Sequence, residues 1–367
     1  MEVTYSSAVG AGLRETLTST AGIEAVKGMV LLATPHAELL STEFESVLAN
    51  LEVPVFGGIF PEIFHDGERK DTGAVVVSLF TEPFVTTVSD LSDPDTNHRE
   101  SLDPNVPTNY ETAFVFVDAY ATGIDSIIDS LFRTYSVALD FIGGGAGTLD
   151  DDHGPCLFTN KGVIEDAAVI AAINQPITVG VKHGWKEIDG PFRVTDATGS
   201  TIETLDGKPA FSIYRDIIEE AAGRTITKEN FFEVAKSYPF GITRMDAEQI
   251  VRDPFSVDAD GSITCFGTVS EGEFVAILEA NPRSLINAAR TASATARRGS
   301  SADMLVFFDC ISRVLYLEDE FDRELAAVTP EERPLFGALT IGEIANDGSG
   351  HLDYYTKTAV VGALEDV

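Results

Sequence analysis

The chain repeats itself, and this limits its fold more than any other property of the sequence. From Met29 it reads MVLLATPHAELL, TEFESVLANL, PVFGGIFPEIFHDG and GAVVVSL. From Met304 it reads MLVFFDCISRVL, DEFDRELAAV, PLFGALTIGEIANDG and TAVVGAL. Each passage orders an apolar strand, an acidic amphipathic helix, a Pro-x-Phe-Gly entry, a Gly-rich turn and a Val-rich strand. Pro54, Phe56, Gly57, Glu62, Ile63, Asp66 and Gly67 match Pro334, Phe336, Gly337, Glu343, Ile344, Asp347 and Gly348. Self-similarity of this kind marks duplicated structural units. The two passages are therefore expected to superpose, with Gly57 and Gly337 at equivalent turns.

A looser third copy lies between them. Phe114–Val117 reads as a strand, and Ile124–Phe132 as a helix with apolar residues at helical spacing. Val137–Ile142 reads as a second strand running into Gly143–Gly147, and Cys156–Thr159 with Asp166–Ile173 as a hairpin. Beyond it, Ile177–Val181, Phe192–Val194, Ile202–Leu205 and Ala210–Tyr214 read as a strand meander. Helices are expected at Arg215–Ala222, Lys228–Ala235 and Pro282–Ala296, the last capped by Asn281 with Pro282 at its first position. The Gly-rich turns feed strands and not helices, which favours mixed sheets over a doubly wound parallel sheet. The expected fold is α/β with an α+β tendency, in two domains covering 1–223 and 224–367, built from strand–helix–strand–hairpin units.

Charge narrows the function. Fifty-nine acidic residues against twenty-five basic ones leave a net −34, spread along the chain, and only nine residues are lysine. Such a surface repels itself at low salt, and at about 1 M salt the Debye length of roughly 3 Å screens most of that repulsion. The pattern reads as adaptation to a salt-rich cytoplasm. It argues against nucleic acid, whose binders need Lys or Arg to displace counterions. No apolar run reaches the length of a membrane span, and the N-terminus lacks a basic-then-apolar signal pattern, so the expected setting is cytoplasmic. Cys156, Cys265 and Cys310 are far apart and odd in number, which suggests neither a disulfide framework nor a zinc site. No cofactor is expected from these residues.

The N-terminal half contains VPVFGGIFPEI, FIGGGAG, HGW and VTDATGSTIETLDGKPAFSIY; the C-terminal half contains VRDPFSVDADGSI, VSEGE, CISR, GEI and HLDYYTKTAVV. In order and spacing these resemble the FIST family, with its N-terminal and C-terminal domain types, over nearly the whole chain. The resemblance implies an intracellular sensory module for small ligands such as amino acids or other small carboxylates. Some members are haem-binding gas sensors, which makes haem an alternative cofactor. Family members are often fused to an output domain. This chain leaves no room for one after Leu364, so the output is expected to belong to a separate signalling partner.

Several residues are candidates for the ligand site. Gly143, Gly144 and Gly145 suit either a backbone nest close to a ligand or a tight turn. Phosphate fits poorly, because Asp150, Asp151 and Asp152 follow where a helix N-terminus is needed. His183 and Trp185, flanking Gly184, suit a planar or cationic ligand or haem ligation, and equally a satisfied core pair. Arg313 and Arg252 suit a carboxylate, either a ligand's or an internal one such as Glu343. Cys310 with His351 is the one arrangement that suggests a nucleophile and base, though Cys310 sits in an apolar strand where a buried, inert thiol is the plainer reading. Asp258-Ala259-Asp260-Gly261 reads as a hairpin turn and not a calcium loop. The ligand is expected in a cleft between the two halves.

Overall fold

The computed structural model describes residues 1–365 except 136–137, 151–152, 224, 245–247, 301, 330–332 and 347–350. Val137, Asp151, Asp152, Asp347 and Gly348 of the expectations above fall outside the described residues.

Three copies of one unit build the core, each around a parallel strand pair. Gly28–Ala33 runs parallel to Val55–Ile59, Thr112–Asp118 to Asp140–Ala146, and Met304–Cys310 to Leu335–Thr340. A helix bridges each pair, as parallel strands require: Thr42–Asn50, Ile124–Tyr135, and Ile311–Leu317 with Phe321–Val328. A later strand returns antiparallel to the first strand of each pair: Ala74–Leu79, Ala167–Ile173 and Ala359–Leu364. These three-strand cores share one order and one set of directions, so the duplication is a triplication.

The hairpins of the three units are exchanged in a cycle. Ile63–His65, from the first unit, pairs with Leu335–Thr340 of the third. Glu343–Asn346, from the third, pairs with Asp140–Ala146 of the second. Leu157–Thr159, from the second, pairs with Val55–Ile59 of the first. Three six-stranded mixed sheets result, each completed by a strand from another unit.

Glycine recurs where the parallel strands meet. Gly57, Gly143 and Gly337 lie opposite Leu31, Val115 and Phe307. A Cβ at any of the three would stand 1.8 Å from the carbonyl oxygen opposite, far inside contact distance. Gly57 and Gly337 are equivalent as expected, but within strands and not at turns. Phe56, Phe114, Phe116 and Phe308 form a chain of ring contacts with centroids 5.7–6.2 Å apart that joins all three units. All four are buried, and full burial of such a side chain contributes about 1.5–3 kcal/mol.

Residues 186–279 supply a fourth, seven-stranded antiparallel sheet, inserted into the third unit between its edge strand Ile177–Lys182 and Met304–Cys310. Two expectations are corrected here. Ala210–Tyr214 is not a strand; it opens the helix Ala210–Ala222, whose Tyr214 and Ile218 turn a buried face inward. Cys156–Thr159 does not pair with Asp166–Ile173. Leu157–Thr159 pairs with Gly162–Ile164, and Ala167–Ile173 belongs to another sheet. The helix Pro282–Ala296 is as read, with a capping box between Asn281 and Ser284.

Candidate functional site

Parallel strand pairs present ligand sites beyond their C-terminal ends. The second and third units bring such ends together. Tyr120 follows Thr112–Asp118, Leu149 follows Asp140–Ala146, Cys310 closes Met304–Cys310, and Ile341 follows Leu335–Thr340. Between them opens a cleft of about 420 Å³. The inserted sheet closes its far side with Asp253, Phe255 and Phe266, and the helix Phe231–Ala235 adds Phe232. Phe255 and Phe266 lie on paired strands, with ring centroids 4.7 Å apart. Gly342 and Tyr354 complete the wall. Gly342 has φ +88°, and a Cβ there would stand 2.3 Å from the Tyr354 ring, whose hydroxyl donates to the Ile341 carbonyl at 2.6 Å.

The rim of this cleft is apolar and open. Nine large hydrophobic side chains are exposed among the described residues, and five of them line it: Tyr120, Leu149, Phe232, Phe266 and Leu315. Scattered exposed apolar residues need no explanation, but a cluster around one concavity marks a binding surface.

The floor is polar and buried. Asp253 lies under the cleft with Oδ2 held by Lys357 Nζ at 3.1 Å, the Ser312 side chain against its carboxylate, and Oδ1 without a hydrogen-bond partner. Burial raises the Asp253 pKa, and Lys357 opposes the rise. Lys357 is itself buried in the left-handed region at φ +53°. Its ammonium also donates to the Lys236 carbonyl and lies 5.3 Å from the Trp185 ring centre. These three contacts of the ammonium hold the residue in a backbone shape that a side chain adopts only when its surroundings impose it.

The residues singled out from sequence form the layer beneath this floor. Arg313 is fully buried and its donors are used by the protein. Nε and Nη2 bond both oxygens of Glu324, at 2.9 and 2.7 Å, and Nε lies 3.1 Å from Asp309 Oδ1. Nη1 donates to the carbonyls of His183 and Lys357, and Nη2 to that of Leu285. Of the two readings of Arg313, a ligand's carboxylate or an internal one, its partners fit the internal one, with Glu324 and Asp309 as the acids in place of Glu343. Glu343 accepts from Thr340 Oγ1 at 2.8 Å and the Thr358 amide at 3.3 Å, and burial pushes it up to about 8. Burial also raises Asp309 well above the carboxylate range, with repulsion from Glu324 adding to it.

His183 and Trp185 are core residues at the same level. The Trp185 indole donates to the Lys357 carbonyl and packs edge-on against Tyr316. His183 Nδ1 accepts from the Trp185 amide at 2.9 Å, and Nε2 lies 3.4 Å from Glu248. Burial lowers His183 to about 4 despite Glu248. Arg252 is buried, donating to the carbonyls of Thr268 and Tyr354, with Asp125 at 3.9 Å. Gly143, Gly144 and Gly145 are strand residues and not the expected loop. Gly144 and Gly145 let the Ile341–Gly342 turn approach, with would-be Cβ contacts of 2.6 and 2.3 Å to its carbonyls. They shape the cleft's back wall from behind.

Of the residues chosen from sequence, only Cys310 lines the cleft. Its thiol is buried, burial raises its pKa, and it shares a hydrogen bond with Glu343. His351 stacks on Phe132 and borders a separate concavity with Arg244 and Arg252, so Cys310 and His351 are not brought together. A larger concavity of about 700 Å³ lies at Arg14, Glu38 and Pro155. Among the described residues, none of the buried side-chain polar atoms left without a partner belongs to a residue lining it. Among the described residues, no three His, Cys, Asp or Glu side chains gather as a metal site, and no helix is long and apolar enough to cross a membrane.

Three mixed sheets built from one repeated unit, joined by exchanged hairpins and carrying an inserted antiparallel sheet, define a triplicated α/β fold with a cleft at the meeting of two units. The FIST N domain matches residues 28–208 and the FIST C domain residues 210–346, and the chain belongs to the FIST family of signal-transduction sensory domains. It is also similar to an uncharacterized protein of Methanocaldococcus jannaschii, 32% identical over 111 residues. That stretch is 29% of this chain and 21% of the relative, so the match spans about a fifth of the relative's length.

Proposed function

We propose that this protein senses a small molecule bound in the cleft between Tyr120, Leu149, Phe232, Phe266 and Leu315. The observation that carries the reading is the gathering of five exposed apolar side chains around one concavity with a buried, unsaturated polar floor. Its volume of about 420 Å³ suits a single small ligand. A flat apolar face would suit a protein partner instead; here the apolar ring encloses depth. The inserted sheet supplies one wall and the triplicated core the other, so occupancy couples two bodies of the fold. That coupling is the physical requirement for passing on a signal.

Native mass spectrometry of protein purified in high salt, together with thermal shifts against a metabolite panel, tests the reading. Leu315→Arg places a long charged side chain across the mouth from an exposed position. It should abolish binding and leave the unfolding midpoint of the free protein nearly unchanged. Full retention of ligand by Leu315→Arg, with loss on substituting Leu40 or Arg14, moves the site to the larger concavity and sinks the proposal.

A further inference from the structure

Resting on that site, we infer that the ligand is an organic ammonium with an apolar, planar or aromatic body, its N–H donor meeting Asp253 Oδ1. The chemistry of the lining carries this. Tyr120, Phe232, Phe255, Phe266 and Tyr354 offer aromatic faces, and the other lining groups are aliphatic, hydroxyl, thiol or glycine. Among the described residues, Asp253 is the one charged side chain in the lining. Its Oδ1 is a buried acceptor without a hydrogen-bond partner, while Lys357 and the Ser312 side chain serve the same carboxylate, and a buried acceptor left open costs free energy. Among the described residues, the other four buried side-chain polar atoms lacking partners, on His98, Asn174, Glu203 and Asp309, belong to residues that do not line the cleft.

Charge selects against the alternative. A carboxylate or phosphate in this cleft would meet an acid and the negative faces of the rings. The nearby cations already have partners: Arg313 holds Glu324 and Asp309, Arg252 the carbonyls of Thr268 and Tyr354, and Lys357 the Lys236 carbonyl and Asp253 Oδ2, which leaves Oδ1 as the open acceptor. An ammonium is drawn by the acid and the ring faces together. The acidic surface, net −34, favours the same sign of ligand at a distance.

Three probes that share a phenylethyl body decide the matter: 2-phenylethylammonium, 2-phenylethanol and 3-phenylpropanoate. They are titrated calorimetrically in roughly 2 M KCl, where screening removes non-specific attraction to the surface. The ammonium should bind at least about tenfold more tightly than the alcohol, and the carboxylate most weakly. Asp253→Asn should weaken the ammonium at least about tenfold and leave the alcohol within about twofold. Since Asp253 also holds Lys357, that variant can fail to fold; the wild-type ranking then decides alone. A carboxylate that binds as well as the ammonium, or an Asp253→Asn variant that weakens ammonium and alcohol alike, overturns the ammonium class. No binding of any probe, while Leu315→Arg still expels a co-purified ligand, overturns the class and leaves the site standing. No binding of any probe and no effect of Leu315→Arg brings down the site as well.

Discussion

Replacing Arg313 with methionine separates an internal tie from a ligand clamp. The substitution keeps most of the aliphatic volume and deletes the guanidinium. Asp309 and Glu324, both fully buried, then lose their shared cation. The carbonyls of His183, Leu285 and Lys357 lose donors at 2.7, 3.1 and 3.2 Å. Removing one partner of a buried ion pair costs about 3–5 kcal/mol, because the other is stranded. The acids soften the loss by taking up protons, and the stranded carbonyls add to it, so we expect about 4 kcal/mol. That is close to a thousandfold in the folding equilibrium. Urea unfolding in concentrated KCl, followed by circular dichroism, reads the change as a lower midpoint at unchanged slope. Ligand affinity, measured on the folded fraction, should stay within about threefold, since Arg313 does not line the cleft. A loss of stability below about 1 kcal/mol combined with abolished binding would refute the reasoning and restore Arg313 as a ligand contact.

Three further outcomes follow from the structure. Gly143→Ala drives a Cβ to 1.8 Å from the Val115 carbonyl and should cost about 3 kcal/mol or more by thermal unfolding, whereas Gly154→Ala, with nothing within 4 Å, should be neutral. Unfolding midpoints should rise steeply from about 0.1 to 2 M KCl as screening relieves a net −34, and a salt-independent midpoint would contradict the halophilic reading. His183, lowered from 6.5 to about 4 by burial, binds its proton more readily in the unfolded chain, so its contribution to stability is complete above pH 6.5 and is lost as pH falls towards 4; His183→Asn should flatten that part of the stability curve.

The repeats were legible because close backbone approach leaves a residue-level mark. Only glycine fits opposite Leu31 and Phe307, so Phe-Gly recurs at the same place in both copies. The third copy reads faintly because its Gly143 sits in an Ile-Gly-Gly-Gly context that looks like a turn. Hairpin exchange left no local trace, since a strand's sequence does not name its neighbour. The site misled the sequence reading for a related reason. Arg313, Trp185 and His183 are conspicuous residue types, and they are conspicuous because burying them demands saturated partners. The cleft itself is made mostly of common apolar residues from eight separate segments. One clue existed: in Phe231–Phe232 the first ring is buried in the core and the second is exposed at the rim. A helix that spends a second aromatic outside its buried face has another use for it.

The exchanged hairpins also set a timetable for synthesis. Ile63–His65 pairs with Phe336–Ala338, about 270 residues downstream. At the usual elongation rate of roughly 5–20 residues per second, the early hairpin waits about 15–50 s for its partner strand to leave the ribosome. The second unit's sheet likewise stays open along Asp140–Ala146 until Glu343–Asn346 emerges. A nascent chain of this protein therefore carries unpaired strand edges for nearly its whole time on the ribosome, the state in which β-proteins most readily mispair with their neighbours. The dense acidic charge on the same chain holds such neighbours apart. What reads as adaptation of the folded surface also protects the chain before it has one.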